Sequence, residues 1–449
     1  MNKTVVINIV GLSSSLIGDH TPFLKRYVAE RGIATIEPVL PAVTTAAQST
    51  YLTGKLPAEH GIVGNGWYDR IDCEVKFWKQ SNKLVLAEKI WERAKREDPS
   101  FTCSNMFWWY NMCSEVDYSC TPRPNYLADG RKLPDCYSAP AELRDELQQK
   151  LGQFPLFQFW GPGANIKSSQ WIADATIITD EKYNATLTLV YLPHLDYCLQ
   201  KYGQDFTRTG PDLRAIDGVA EQLVSHFDKK GARVILLSEY GITNVSNPVH
   251  INRTLRKAGL LQVRVERGLE LLDAGASRAF AVSDHQVAHV YINDPSIASQ
   301  VRTVVEQVDG VELILDRTAQ SAYGIDHNRS GDLVLMADAR SWFTYYFWLD
   351  DAKAPDYARV VDIHKKPGYD PVEMFMTSRL RAGYKLLRKK LGFRYVMDVI
   401  PLDATLIRGS HGRIGTPREF HPVIIGGGLS DKVVKPTDVY GILWNALTR

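Results

Sequence analysis

Thr44 stands at the entrance to a helix that the sequence predicts to begin near Thr45 and to end before Gly54. Backbone N–H groups and the positive end of the helix dipole at such an entrance stabilise an anion and lower the cost of an alkoxide. A hydroxyl there is either a plain helix cap or a nucleophile, and its surroundings have to decide. The stretch from Pro41 to Asn65 also holds Thr53-Gly54, Pro57, His60-Gly61-Ile62 and Gly64-Asn65. Elsewhere, Asn8 with Gly11, Asp196, Glu239 with Tyr240, and His411 each follow a predicted strand. In open α/β sheets, ligands gather beyond the carboxyl ends of strands, so these distant residues are expected to converge at one rim.

The elements that must position them alternate. Apolar runs predict strands at Val5–Val10, Phe101–Trp108, Thr186–Leu192 and Arg233–Ser238, with an extended segment at Ile33–Val39. Between them, helical patterns cover Thr21–Arg31, Leu84–Arg96, Ala139–Leu151 and Asp212–Lys229. This βαβ rhythm predicts an α/β fold with a parallel-rich sheet and helices on both faces. After about residue 246 the rhythm changes. Ala288–Ile292, Ile297–Val308 and Val311–Leu315 read as a βαβ unit in a smaller inserted α/β lobe. The expected division is a core over 1–245, an inserted lobe over 246–320, and a returning core over 321–449 with strands at Leu333–Ala337 and Ala404–Ile407. Loops near 120–136, 160–164 and 362–371 are too long for idle connections and lean functional.

The run from Thr44 to Asn65 resembles the nucleotide pyrophosphatase/phosphodiesterase branch of the alkaline phosphatase superfamily. That branch has a Thr, a Thr-Gly nine residues on, then Pro, His-Gly-Ile and Gly-Asn, all matched here in order and spacing. The resemblance implies an alkaline-phosphatase-like fold, with Thr44 as the nucleophile that takes up the phosphoryl group. It gives Asn65 a hydrogen bond to a non-bridging oxygen, and His60 and Gly61 structural roles. It also implies two metal ions bridged by the nucleophile and held by Asp and His. Here the chain departs. The family's Asp-Gly after the first strand is Val10-Gly11, with Asn8 the nearest polar residue on that strand face. Its Asp-x-x-x-His reads Asp196 to Gln200, its Asp-His-Gly reads Glu239-Tyr240-Gly241, and only the last His, His411, is unchanged. One implied site is thus Asp196, Gln200 and His411; the other is Thr44, Glu239, Tyr240 and Asn8. Tyr and Gln are poor zinc ligands, and an oxygen-rich set suits magnesium or manganese better. The expectation is a divalent metal cofactor of one ion, or two harder ions, rather than a zinc pair.

Length and charge narrow the partners. The chain has 449 residues, 53 Lys plus Arg against 51 Asp plus Glu, and a formal charge of +2. No global field then favours a nucleic-acid polymer or a membrane surface. No apolar run approaches the roughly 18 residues of a membrane span. The N-terminal residues read as a strand rather than a signal, and the six Cys form no CxxC pair, so a cytoplasmic location is expected. Further polar clusters could contribute: Asp284, His285 and His289; the loop in which Lys365 and Lys366 could grip phosphate and His364 or Asp370 a metal; His194; and His250. The aromatic runs Phe107–Tyr110 and Trp342–Trp348 offer stacking or core packing. Together these residues predict a metal-dependent hydrolase of phosphate esters, diesters or related phosphoryl or phosphonate bonds in a small phosphorylated metabolite. The alternative is a catalytically degenerate member that binds such a metabolite.

Overall fold

Strand Thr4–Ile9 carries no charged side chain and is buried along its whole length. Burial on both faces is what a strand between two parallel neighbours requires. In the computed structural model, which describes residues 1–449, this strand lies at the centre of the main sheet, flanked in parallel by Leu187–Leu192 and Arg233–Leu237. The nine strands run in the order Val433–Val434, Ile33–Ile36, Val423–Ile425, Arg233–Leu237, Thr4–Ile9, Leu187–Leu192, Cys103–Met106, Tyr118–Pro122 and Cys136–Ala139. Only Val423–Ile425 and the edge strand Cys136–Ala139 run against the rest. Helices Pro22–Arg31, Lys167–Tyr183 and Phe206–Lys229 pack over the sheet, which is the α/β class expected.

A second hydrophobic core lies beside the first. Its sheet has four antiparallel strands in the order Ala279–Asp284, Val287–Ile292, Leu333–Ala337 and Val311–Leu315. Leu333–Ala337 therefore belongs to the lobe and not to the main sheet. It inserts between the two strands expected to form a βαβ pair, and the helix Ala298–Glu306 connects strands that are not neighbours. An apolar run marks a buried strand but carries no information about which sheet receives it. The second core reaches to Ile407, well past the expected boundary at 320, takes in Trp342, Phe343 and Tyr345 to Trp348, and also draws on earlier residues such as Leu40, Ile62, Trp67 and Tyr110. Ala404–Leu406 is a short 3₁₀ turn capped by Asp403 rather than a strand. The returning strands of the main sheet are Val423–Ile425 and Val433–Val434, too short to show a period.

The loop around 362–374 reaches the helix His194–Tyr202 of the main core through Tyr369, which donates to Gln200 at 3.0 Å. Lys366 is fully buried, with its ammonium 2.7 Å from both Asp370 and Glu373. Glu373 also accepts the Asp362 N–H at 2.9 Å and the indole N–H of Trp160. This loop is a structural clamp, so Lys366 and Asp370 are not free for phosphate or metal. Replacing Lys366→Met leaves two buried carboxylates without their cation. It should cost about 3–5 kcal/mol of stability, read as a lowered denaturation midpoint in urea.

Candidate active site

The helix predicted near Thr45 runs from Thr44 to Thr53, with every residue buried and extended backbone at Val43 before it. Thr44 thus occupies the first turn, where N–H groups lack helical partners. One of them, on Thr45, donates to Asn65 Oδ1 at 3.2 Å, and Thr45 Oγ1 donates to the carbonyl of Gly64 at 2.8 Å. Asn65 is fixed from its other side by Asp284, which accepts its backbone N–H at 2.8 Å and its amide at 3.1 Å. With Oδ1 held by a backbone donor, the Asn65 amide has one orientation, and its second N–H remains for a ligand. His60 is buried and satisfied, bonded to Thr50 Oγ1 at 3.1 Å and accepting the Ile62 N–H at 3.0 Å.

The strand ends bring the remaining residues to the same place. Tyr240 donates its hydroxyl to Asp196 Oδ1 at 3.2 Å, and Thr44 Oγ1 lies 3.2 Å from the same hydroxyl. Since the one phenolic proton goes to Asp196, Thr44 is the donor to Tyr240. Gln200 donates to the other Asp196 oxygen at 2.8 Å, and Tyr369 donates to Gln200 Oε1 at 3.0 Å. Glu239 Oε1 receives the amides of Asn8 and Gln48, while its Oε2 is buried with no partner. Gln48 cannot turn round, because its Oε1 accepts the backbone N–H of Trp109 at 2.7 Å. His411 donates from Nδ1 to the Ala42 carbonyl at 2.7 Å. Its Nε2 is buried and unpartnered, 3.6 Å from Asp196 Oδ1, and its ring stacks on Tyr240 at 3.5 Å.

Burial sets the protonation of this centre. It pushes Asp196 up to about 7 against the hydrogen bonds from Gln200 and Tyr240. It pushes Glu239 up to about 8 against those from Gln48 and Asn8. Tyr240 is held well above its ordinary value by burial and by the two carboxyls, so it keeps its proton. His411 is driven down by burial and stays neutral.

Thr44, Asn65, Asp196, Gln200, Glu239, Tyr240, His411 and Asn8 therefore meet at one rim. Residues that sequence reasoning did not single out join them: Gln48, Tyr369 and Tyr191. Gln48 lies one helical turn after Thr44, a spacing that puts both on one face and that could have flagged it. Asp284 and His285 enter from the lobe, His285 stacking on Tyr369 and lying against His411, each at 3.7 Å between ring centres. Other candidates stay apart. His289 is satisfied by Val63 and Gly331, His194 pairs with Asp212, and His250 pairs with Thr344. Thr44, Asp196, Tyr240, Tyr191, Tyr369 and His285 line a cavity of about 1760 Å³ whose walls include Trp78, Trp109 and Trp160, with Arg123, Lys132 and Lys365 among its cations; the other members of the centre are buried behind them.

Residues 4–370 match the type I phosphodiesterase/nucleotide pyrophosphatase family. The chain belongs to this family. It is 23% identical over 385 residues to ectonucleotide pyrophosphatase/phosphodiesterase 2 of Saccharomyces cerevisiae, covering 80% of this chain and 68% of that protein. It is 24% identical over 259 residues to an uncharacterised pyrophosphatase/phosphodiesterase of Schizosaccharomyces pombe, covering 55% of this chain and 46% of that protein, under half the relative's length. Among solved structures, inactive murine ectonucleotide pyrophosphatase/phosphodiesterase 5 in complex with AMP aligns over 100% of this chain and 95% of its own, at 13% identity and a TM-score of 0.60. Phosphonoacetate hydrolase from Sinorhizobium meliloti, in complex with phosphonoformate, aligns over 100% and 95%, at 15% identity and a TM-score of 0.58. The fold is thus that of the alkaline phosphatase superfamily, and the family is one of phosphodiesterase/pyrophosphatase-type hydrolases.

Family members generally use divalent metals, and the donors here do not fit a metal pair. Glu239 Oε1 is saturated by two amide N–H groups, one of them locked by Trp109. The Tyr240 hydroxyl, with its proton, lies between Thr44 and Asp196, two of the residues that would hold metal. No three His, Cys, Asp or Glu side chains converge as ligands. Of the seven residues expected to hold metal, Asp196 and the unpartnered His411 Nε2, Glu239 Oε2 and Asn8 Oδ1 keep the character of ligands, one imidazole and two carboxyls among them, too few for a zinc pair. Protein dialysed against zinc should therefore retain fewer than two ions per chain by elemental analysis; two per chain at stoichiometry would contradict this fit.

Proposed function

We propose that the chain hydrolyses a phosphodiester or related phosphoryl or phosphonate bond in a small phosphorylated metabolite, with Thr44 as nucleophile. The observation that carries the reading is the chain of hydrogen bonds from Thr44 through Tyr240 to Asp196 at the cavity floor. As Thr44 Oγ1 attacks phosphorus, its proton passes to Tyr240 while the phenolic proton passes to Asp196. A base near 7 is well matched to neutral pH. The leaving group departs in line as an alkoxide or phosphate and takes a proton from cavity water; water then attacks the phosphothreonine and loses its proton to solvent, while Asp196 returns its proton to Thr44 Oγ1 through the same relay. Asn65 and the first-turn N–H groups receive the phosphoryl oxygens. Glu239, protonated below about 8, keeps a second negative charge out of the centre. Cations on the cavity wall, Arg123, Lys132 and Lys365, favour an anionic substrate and replace a global field. The AMP complex of the murine neighbour and the phosphonoformate complex of the bacterial one support this substrate class. The six free thiols support the cytoplasmic location.

A second reading, binding without turnover, is favoured by one observation: Tyr240 and Gln200 put neutral groups where the family has His. Thr44→Ala separates the two. The hydrolase reading expects at least about a thousandfold loss of kcat with the fold intact, whereas a binding protein has no turnover to lose. Tyr240→Phe cuts the relay and should lower kcat by about a hundredfold or more with little change in KM.

The pH profile follows from the same groups. The rate rises with pH as Asp196 ionises near 7, and falls as Glu239 ionises near 8 and sets a second charge against the phosphate. A narrow bell in kcat is expected, with limbs that belong to the coupled pair. A profile flat from pH 6 to about 9 would remove both assignments.

A further inference from the structure

Helix Arg379–Lys390 sits on the outer wall of the catalytic cavity, and Ala382 is its only buried residue. An isolated helix of about 12 residues is marginal in water, so this one needs something to lie against. Its sequence supplies two kinds of surface. Leu380, Tyr384, Leu387 and Leu391, spaced at i, i+4, i+7 and i+11, make one apolar stripe on the side opposite Ala382. These four are 87%, 57%, 54% and 62% exposed. Six of the twelve helix residues are Arg or Lys, and no acidic residue occurs between Met376 and Met397. Arg381 and Lys385 are paired with Asp398, while Arg379, Arg388, Lys389, Lys390 and Arg394 have no acidic partner.

We infer that this helix docks in the plane of an anionic lipid surface, its Leu stripe in the acyl boundary and its cations among the headgroups. A stripe of aliphatic residues with Tyr, flanked by Arg and Lys whose stems reach back to the polar layer, is the composition of an interfacial helix. At about 18 Å it is too short to span a bilayer of about 30 Å. A second copy is the poorer occupant, because two such helices would bring two cationic arrays together. The overall charge of +2 conceals this concentration of cations on one element. Because Ala382 and Leu386 line the cavity that has Thr44 on its floor, docking brings a wall of that cavity to the headgroup layer. The inference does not depend on Thr44 being a nucleophile.

The test is co-sedimentation of the full chain with vesicles of phosphatidylcholine alone or mixed with phosphatidylglycerol. At low salt the anionic vesicles should bind at least about tenfold more tightly, and high salt should erase the difference. Arg379→Gln with Lys390→Gln should weaken that binding by about thirtyfold, and Leu380→Asp with Leu387→Asp should abolish it. All four positions are exposed and none lines the cavity, so thermal melting should be unchanged in both variants. Equal binding to both vesicles, or binding to neither, overturns the inference. So does a dimer in light scattering that the Leu380→Asp, Leu387→Asp pair dissociates, which would assign the stripe to a second copy.

Discussion

Two carboxyl groups are buried within one centre, and no cation is among their hydrogen-bond partners. Burying a charge in this way is costly unless protons or donors answer it. Here both answers are present. Asp196 and Glu239 are pushed towards and above neutrality, and each receives two N–H or O–H donors. Those donors come from the first strand, the helix Thr44–Thr53, the helix His194–Tyr202, and the turn after Arg233–Leu237. The convergence of strand ends is thus fixed at its tip by a closed set of hydrogen bonds.

That set also explains how the lobe takes part. Asp284 crosses to hold Asn65, and Tyr369 crosses to hold Gln200. Tyr369 is in turn placed by the clamp of Lys366 with Asp370 and Glu373. The lobe is therefore a supporting shell for groups belonging to the main sheet, and the aromatic run at Trp342–Trp348 serves it as packing. Of the other run, Trp109 alone faces the cavity, while Phe107, Trp108 and Tyr110 are buried.

The legibility of the sequence followed the length of its signals. The run from Thr44 to Asn65 constrained a strand end, a helix entrance and a loop at once, so the fold class and the residues that gather at the candidate site were readable from it. Long apolar strands such as Leu187–Leu192 were readable for the same reason. Val423–Ile425 was not, since three residues carry no periodicity. The placement of Leu333–Ala337 was not, since pairing is decided by tertiary contacts. Ligand identity was the hardest. Glu239 and Tyr240 stand where the resemblance implies ligands, but the direction of the Gln48 amide is set by a backbone N–H sixty-one residues away, which no local pattern encodes.

The lock on Gln48 bears on the history of this centre. Reaching a metal pair from this sequence by single substitutions passes through unfavourable intermediates. Asp in place of Glu239 withdraws the carboxylate by one methylene and orphans the amides of Asn8 and Gln48. His in place of Tyr240 deprives Asp196 and Thr44 of their shared hydroxyl. Each such orphaned buried group costs about 1–3 kcal/mol, in a protein class whose whole stability is only about 5–15 kcal/mol. The sites are epistatic, so positions 8, 48, 200, 239 and 240 are expected to vary together across descendants of this chain, as a ratchet that holds the lineage on its present side.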